Sequence, residues 1–248
     1  MIIDLRNRIL LFILPLNLTF VFTQDYSPKS SGEVVKYNYY SLSYNEYHEQ
    51  ANWVYYKLNN LMLNGTAKRT NNYRTDYNIS SKSSSPNDYK GSGYDRGHLA
   101  PAGDMKINSR AMSESFLMSN ISPQNPSFNR GGWRKLEYLV RMWSRNRDSY
   151  VTTGGVLNSN SYRKVGKNKI SVPVQFYKVV FIPSENKMIA FLMPNQKIES
   201  SLKSYVVSVD HVEEITGIDF HHKLEDKLEG KLESKSNIEK WDFNLVYN

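Results

Sequence analysis

The hydrophobic pattern of this 248-residue chain changes period partway along, and that change restricts the fold more than any other feature. Between Arg130 and Arg145, Trp133, Leu136, Val140 and Trp143 recur at spacings of three, four and three, the stripe of an amphipathic helix. Three runs follow: Tyr150 to Leu157, Val172 to Ile182 and Met188 to Met193. They are rich in Val, Ile, Phe and Tyr and bounded by Gly, Pro, Asn and Ser, as strands are. Upstream, Tyr47, Ala51, Val54, Leu58 and Leu61 predict a helix from Tyr44 to about Met62, ended by Asn64-Gly65. The same spacing favours burial of the Tyr-rich stretch Tyr37 to Tyr56 over a role in stacking bases. Shorter helices are predicted over Arg110 to Phe116 and over Leu202 to Thr216, the second closing at Gly217. Thr66 to Gly93 reads as loop with one short strand around Tyr73 to Tyr77, and Lys223 to Lys240 as a solvated face or peripheral helix. Without an internal repeat or a compositional break, this order implies one α+β domain.

A hydrophobic content of 40% is enough for a core, so wholesale disorder is excluded. The absence of cysteine excludes disulfide scaffolds, thiolate-held zinc, iron–sulfur clusters and thiol nucleophiles, so any metal must be held by oxygen or histidine. A net charge of +8 suits polyanionic partners without selecting one. At the N-terminus, Arg6 and Arg8 precede Ile9 to Phe22, in which 11 of 14 residues are apolar. That run is short for a spanning helix, which needs about 20 residues, and reads as a signal peptide over residues 1–24, an uncleaved anchor being the alternative. Export places the chain outside the cell or in a periplasm, with no stable membrane partner after cleavage. A flexible lead-in over 25–36, one domain over 37–235 and a tail over 236–248 complete the organisation.

Two segments carry the chemistry. Tyr94-Asp95-Arg96-Gly97-His98-Leu99-Ala100-Pro101 packs an acid, a guanidinium, a glycine and an imidazole together. The imidazole accepts protons near neutral pH, and a guanidinium fork matches phosphate oxygens. The plain alternative is a turn with a local Asp95–Arg96 ion pair. The second segment runs from Asn120-Ile121-Ser122-Pro123-Gln124 to Asn129 and Glu137. If the helix starts near Asn129, that amide and the Glu137 carboxylate lie along its apolar stripe, where they need a partner. Eight residues of continuous helix rise about 12 Å, too far for both to ligate one ion directly unless Asn129 departs from helical geometry. Glu137 reaching water on a hydrated ion such as Mg²⁺ fits better. The alternative is Asn129 as an N-cap and Glu137 paired with Arg134 or Arg141. His211, His221 and His222 lack ligand spacing and read as surface or packing residues.

Asp95-Arg96-Gly97-His98 and its flanks resemble the DRGH motif of the DNA/RNA non-specific endonuclease family, and Asn120 to Gln124, Asn129 and Trp133 to Glu137 resemble its second block in order and spacing. The resemblance spans residues 37 to 235. It implies a ββα-metal fold of the α+β class, with a central antiparallel or mixed sheet flanked by helices. It further implies hydrolysis of DNA and RNA to 5′-phosphate and 3′-hydroxyl ends with little sequence preference. By resemblance His98 is the general base, Asn129 the direct ligand of Mg²⁺, for which Mn²⁺ or another divalent ion can substitute, and Glu137 the holder of metal-bound water. Arg96 organises site and phosphate, Asn120 supports the reacting region, and either Arg69 or Arg74 supplies a further substrate contact. Arg110, Arg130, Arg134 and Lys135 are candidates for tracking the backbone. A homodimer is compatible with the family. A catalytically silent nucleic-acid-binding protein of the same fold is the competing reading.

Overall fold

The computed structural model describes residues 25–29, 32–159 and 162–245; the expected signal peptide, residues 1–24, lies outside them. Strands β1 (Glu33–Lys36), β2 (Ser41–Asn45) and β3 (Gln50–Leu58) come first, followed by the single-turn helix α1 (Asn60–Leu63) and a long loop. Next are β4 (Asp95–His98), α2 (Ser109–Glu114), β5 (Ile121–Gln124) and α3 (Arg134–Trp143). Strand β6 (Ser149–Gly155), the short pair β7 (Lys164–Val165) and β8 (Ile170–Ser171), β9 (Gln175–Ile182), β10 (Lys187–Pro194) and β11 (Val206–Val207) lead to α4 (Val209–Thr216) and α5 (Asp226–Glu233).

Seven strands form one antiparallel sheet in the order β1-β2-β3-β6-β9-β10-β11. Its two faces follow the period of two along each strand. Val54, Tyr56, Phe176, Val180, Ile189 and Phe191 meet the α3 stripe of Trp133, Leu136, Leu139, Val140 and Trp143. Trp53, Tyr177, Val179, Phe181, Met188 and Ala190 meet Val209 and Val212 of α4, Phe220, and Leu232 of α5. A sheet covered on both faces explains why its central strands read as nearly continuous apolar runs.

The helix expected over Tyr44 to Met62 is instead the β2–β3 hairpin. Tyr47 and Leu61, two members of the supposed stripe, are exposed, whereas Trp53 and Val54, adjacent in sequence, are both buried on opposite faces. Because both faces of β3 are covered along most of its length, with only Lys57 exposed, its apolar residues carry no alternation, and a spacing of three and four arises by coincidence; the branched and aromatic content was the better guide. Tyr40, Tyr44 and Tyr56 are nevertheless buried. The strand expected around Tyr73 to Tyr77 reduces to a single bridge from Arg74 to Leu117. Over Leu202 to Thr216 only Val209–Thr216 is α-helical, and it ends at Gly217 in the left-handed conformation that caps helices (φ 68°). The peripheral helix in the Lys/Glu tail is α5.

Candidate active site

Strand β4 pairs antiparallel with β5, Asp95 opposite Gln124 and His98 opposite Ile121, forming a ribbon separate from the main sheet. The chain leaves β5 and enters α3 through an irregular helical turn, Phe128–Trp133, broken at Gly131 (φ −107°, ψ −108°). The helix is therefore not continuous from Arg130, and the straight-helix separation of Asn129 from Glu137 does not apply. Asn129 is no N-cap: its Nδ2 donates to Asp95 Oδ2 at 2.9 Å. Arg130 clasps the same carboxylate through Nε at 2.8 Å and Nη2 at 2.6 Å. Asp95 thus ties β4 to the turn before α3 instead of pairing with its neighbour Arg96. Burial pushes its carboxyl upward, but the Arg130 and Asn129 hydrogen bonds outweigh this and hold it below the usual range. With Nδ2 engaged, the amide oxygen of Asn129 is the group left for the cleft.

That cleft has a volume of about 610 Å³ and is lined by Arg69, Arg96, His98, Asn129 and Glu137, together with Tyr73, Tyr94, Arg134 and Arg141. His98 is only 8% exposed, and its Nε2 is buried with no hydrogen-bond partner among the described residues. The ring is wedged edge-on against Phe116, centroids 4.9 Å apart, with Tyr73 at 5.6 Å. Burial, reinforced by the charge of Arg69, pushes the imidazole down to about 3, so it is neutral across the physiological range. Arg69 lies 4.9 Å over Phe116, and Arg96 lies 5.2 Å over Tyr73 while donating to Pro86 O at 2.8 Å.

Of the two loop arginines, Arg69 faces the cleft. Arg74 turns away and donates to Asn72 O and Ser113 O. Asn120 does not line the cleft either. Its Oδ1 accepts from Ala100 N at 2.8 Å, and its Nδ2 donates to Ala100 O and Ser115 O, so it clamps the segment leaving His98.

Glu137 forms no ion pair with Arg134 or Arg141 among the described residues; Arg141 bonds Asp104 at 2.8 Å, and Tyr56 donates to the other Asp104 oxygen at 2.8 Å. Beneath them lies Lys178 of β9, wholly buried, its Nζ without a hydrogen bond among the described residues and 4.7 Å over the Trp133 ring. Burial raises the Glu137 carboxyl, an effect opposed first by Lys178 and then by Arg141. Sequence reasoning missed Lys178 and Asp104 as members of this network, and the pairing of Asp95 with Asn129 and Arg130. A lone lysine inside Val172 to Ile182 was the available signal for the first. The histidines outside the motif are packing and surface groups: buried His221 bonds Glu233 at 2.9 Å, and exposed His211 meets Glu214 at 3.4 Å.

A strand pair and a helix framing an imidazole and an amide define the ββα class of nuclease site. Residues 20–227 match the DNA/RNA non-specific endonuclease family. A nuclease from Nostoc sp. is 35% identical over 213 residues, covering 80% of this chain and 76% of that protein. The mitochondrial nuclease EXOG of Danio rerio is 33% identical, covering 87% and 68%, and human mitochondrial endonuclease G is 32% identical, covering 73% and 67%. Among solved structures, that of an EndoG/EndoGI complex matches with a TM-score of 0.71 at 29% identity, covering 79% of this chain and 89% of that one. The chain belongs to the DNA/RNA non-specific endonuclease family, and is an endonuclease of α+β fold.

Proposed function

We propose that this protein is an exported, Mg²⁺-dependent endonuclease that cuts DNA and RNA internally, leaving 5′-phosphate and 3′-hydroxyl ends. The observation that carries the reading is the convergence of the buried, neutral His98 imidazole and the Asn129 amide, its Nδ2 tied back to Asp95, on one arginine-lined cleft. Export rests on Arg6, Arg8 and the apolar run that follows.

His98, which lines the cleft, takes a proton from the attacking water, and burial keeps the ring uncharged and so able to accept it. Arg96 and Arg69 line the cleft, where their positive charge binds and orients the phosphate. Asn120 fixes the backbone behind His98, and Asp95 turns the Asn129 amide outward. Amide and carboxylate oxygens with no sulfur donor suit a hard, hydrated divalent ion: Asn129 would hold it directly and Glu137 through water. Such an ion, when bound, stabilises charge developing on the phosphate and the leaving oxygen. A cleft of phosphate-binding groups has no means of reading base edges, which fits weak sequence preference.

The test is incubation of purified protein with supercoiled plasmid and with RNA, with and without EDTA. Both substrates should be degraded, chelation should stop the reaction, and His98→Ala should abolish cleavage while retaining nucleic-acid affinity. Binding without cleavage under any divalent ion would establish the silent binder instead, and chelator-resistant cleavage would refute the metal requirement.

A further inference from the structure

Residues 149–184 contain no aspartate or glutamate, and Arg163, Lys164, Lys167 and Lys169 fall within seven residues of that stretch. They lie on the β7–β8 hairpin, which is a built surface and not a loose loop. At its turn, Asn168 donates through its backbone N to Asp88 Oδ1 at 3.0 Å and through Nδ2 to Asp88 Oδ2 at 2.7 Å. Gly166 (φ 70°) approaches so closely that a Cβ there would sit 2.2 Å from the Asp88 Cβ. At its base, Gln50 Nε2 donates to Ser171 O at 2.7 Å and His48 Nδ1 lies 2.8 Å from Ser171 Oγ, while Val165 and Ile170 pack with Tyr89 and Ile121.

These contacts sort the cations. Lys164 turns inward to Ser171 Oγ at 2.6 Å and Tyr47 O at 3.2 Å. Arg163, Lys167 and Lys169 are exposed and make no ion pair among the described residues. Asp88, the carboxylate fixed against the hairpin, is engaged by Asn168 and Ser85.

The position is as informative as the charge. Between the hairpin and loop 87–92 runs a groove of about 310 Å³, with exposed Lys90 on the loop side and Arg163 on the other. Tyr89 of this loop and Tyr94, two residues beyond it, line the catalytic cleft, and Arg163 lies 5.4 Å over the Tyr94 ring. Cleft and groove share this wall, so a chain leaving one can enter the other.

We propose that the β7–β8 hairpin is a second phosphate-binding surface, on which Arg163, Lys167 and Lys169, with Lys90, hold the sugar–phosphate backbone of the same polynucleotide a few nucleotides from the bond being cut. This rests on the nuclease reading of the cleft. Such contacts carry no base information and bind by releasing counterions, so they set affinity for long substrates and its salt dependence.

The experiment uses Lys167→Gln/Lys169→Asn, asparagine being chosen because Lys169 has φ 56°. Binding of a 30-base-pair duplex is measured by fluorescence anisotropy between 50 and 200 mM KCl, in a His98→Ala background. Removing two cations should lower the slope of log K against log[salt] by about 2 and weaken binding several-fold. In the active enzyme, KM for long DNA should rise more than kcat falls, and the defect should shrink with bis(p-nitrophenyl) phosphate, which is too small to reach the hairpin. An unchanged slope, or equal losses on both substrates, would overturn the hairpin's role while leaving the nuclease reading intact. Parent protein that neither binds nor cuts nucleic acid would overturn both.

Discussion

Gly97→Ala adds one methyl group next to His98 and should damage the enzyme out of proportion to its size. In β4 the Cα of Gly97 faces Ser122 of β5, and a Cβ built there would lie 2.2 Å from Gln124 Oε1, 2.3 Å from Cδ and 2.4 Å from Cγ. Carbon contacts are comfortable at about 3.5–4.0 Å, so more than 1 Å must be found. Gln124 is fully buried, with both amide atoms unpartnered, and has no solvent to retreat into; the strands must separate instead. Overpacking of this kind costs about 1–3 kcal/mol. The strand that shifts carries His98 as its next residue, and a displacement of ~1 Å in a catalytic group lowers the rate by about 10²-fold. Urea unfolding should show the stability loss, and plasmid cleavage at saturating Mg²⁺ should show the fall in kcat with KM little changed. Gln124→Ala in the same chain opens the space, and the double variant should recover about 1–2 kcal/mol relative to additivity. A Gly97→Ala protein within 0.5 kcal/mol of its parent that cuts plasmid at the parental rate would refute the argument, as would a double variant with no recovery.

Asn129→Ala should raise the Mg²⁺ concentration needed for half-maximal cleavage by tenfold or more; an unchanged requirement in a metal titration would remove Asn129 from the metal. Lys178→Met removes the cation that opposes the upward shift of Glu137, so the acid limb of kcat/KM should move to higher pH while the protein stays folded; a profile that keeps its shape would assign Lys178 a packing role only. For stability, burial holds His48 at about 4 and His98 and His221 at about 3, against 6.5 when unfolded. Their contribution is complete above pH ~6.5 and is lost as pH falls, each by up to about 1.4 kcal/mol per unit. Glu213 and Glu229, raised to about 7, and Glu233, raised to about 8, act with the opposite sign: burial makes the folded state take their protons first, so stability grows as pH falls from about 8 to 4.5. Urea midpoints should therefore rise from pH 8 to 6.5, level off to about 4.5 and collapse below. Glu233→Gln should flatten the alkaline side, and a midpoint that falls steadily from pH 7 would contradict the balance.

How far the sequence could be read depended on what each residue must satisfy. The α3 stripe was plain because its opposite face is wet: Arg134 and Lys135 are exposed while Leu136 and Leu139 are fully buried, so the period shows. β3 misled because most of both its faces is covered, Lys57 alone being exposed. In a layer buried on two sides any large apolar residue will do, and the sequence loses the alternation that marks a strand. The candidate site was legible for the converse reason. A neutral imidazole, an amide oxygen and phosphate-directed guanidinium groups are not interchangeable with other side chains. Arg96, His98, Asn129 and Glu137, assigned by resemblance, line one cleft together with Arg69, one of the two loop arginines left open. Asn120 was named for support by resemblance, but its partner Ala100 was not, and Asp95 means little until Asn129 and Arg130 are found across the chain, because support is pairwise. Lys178 lies between these cases, conspicuous as a charge in an apolar strand and unexplained until the fold sets it beneath Glu137. A charge that burial penalises and no hydrogen bond compensates persists where the field it exerts is wanted, and here that field falls on the carboxylate that faces the cleft.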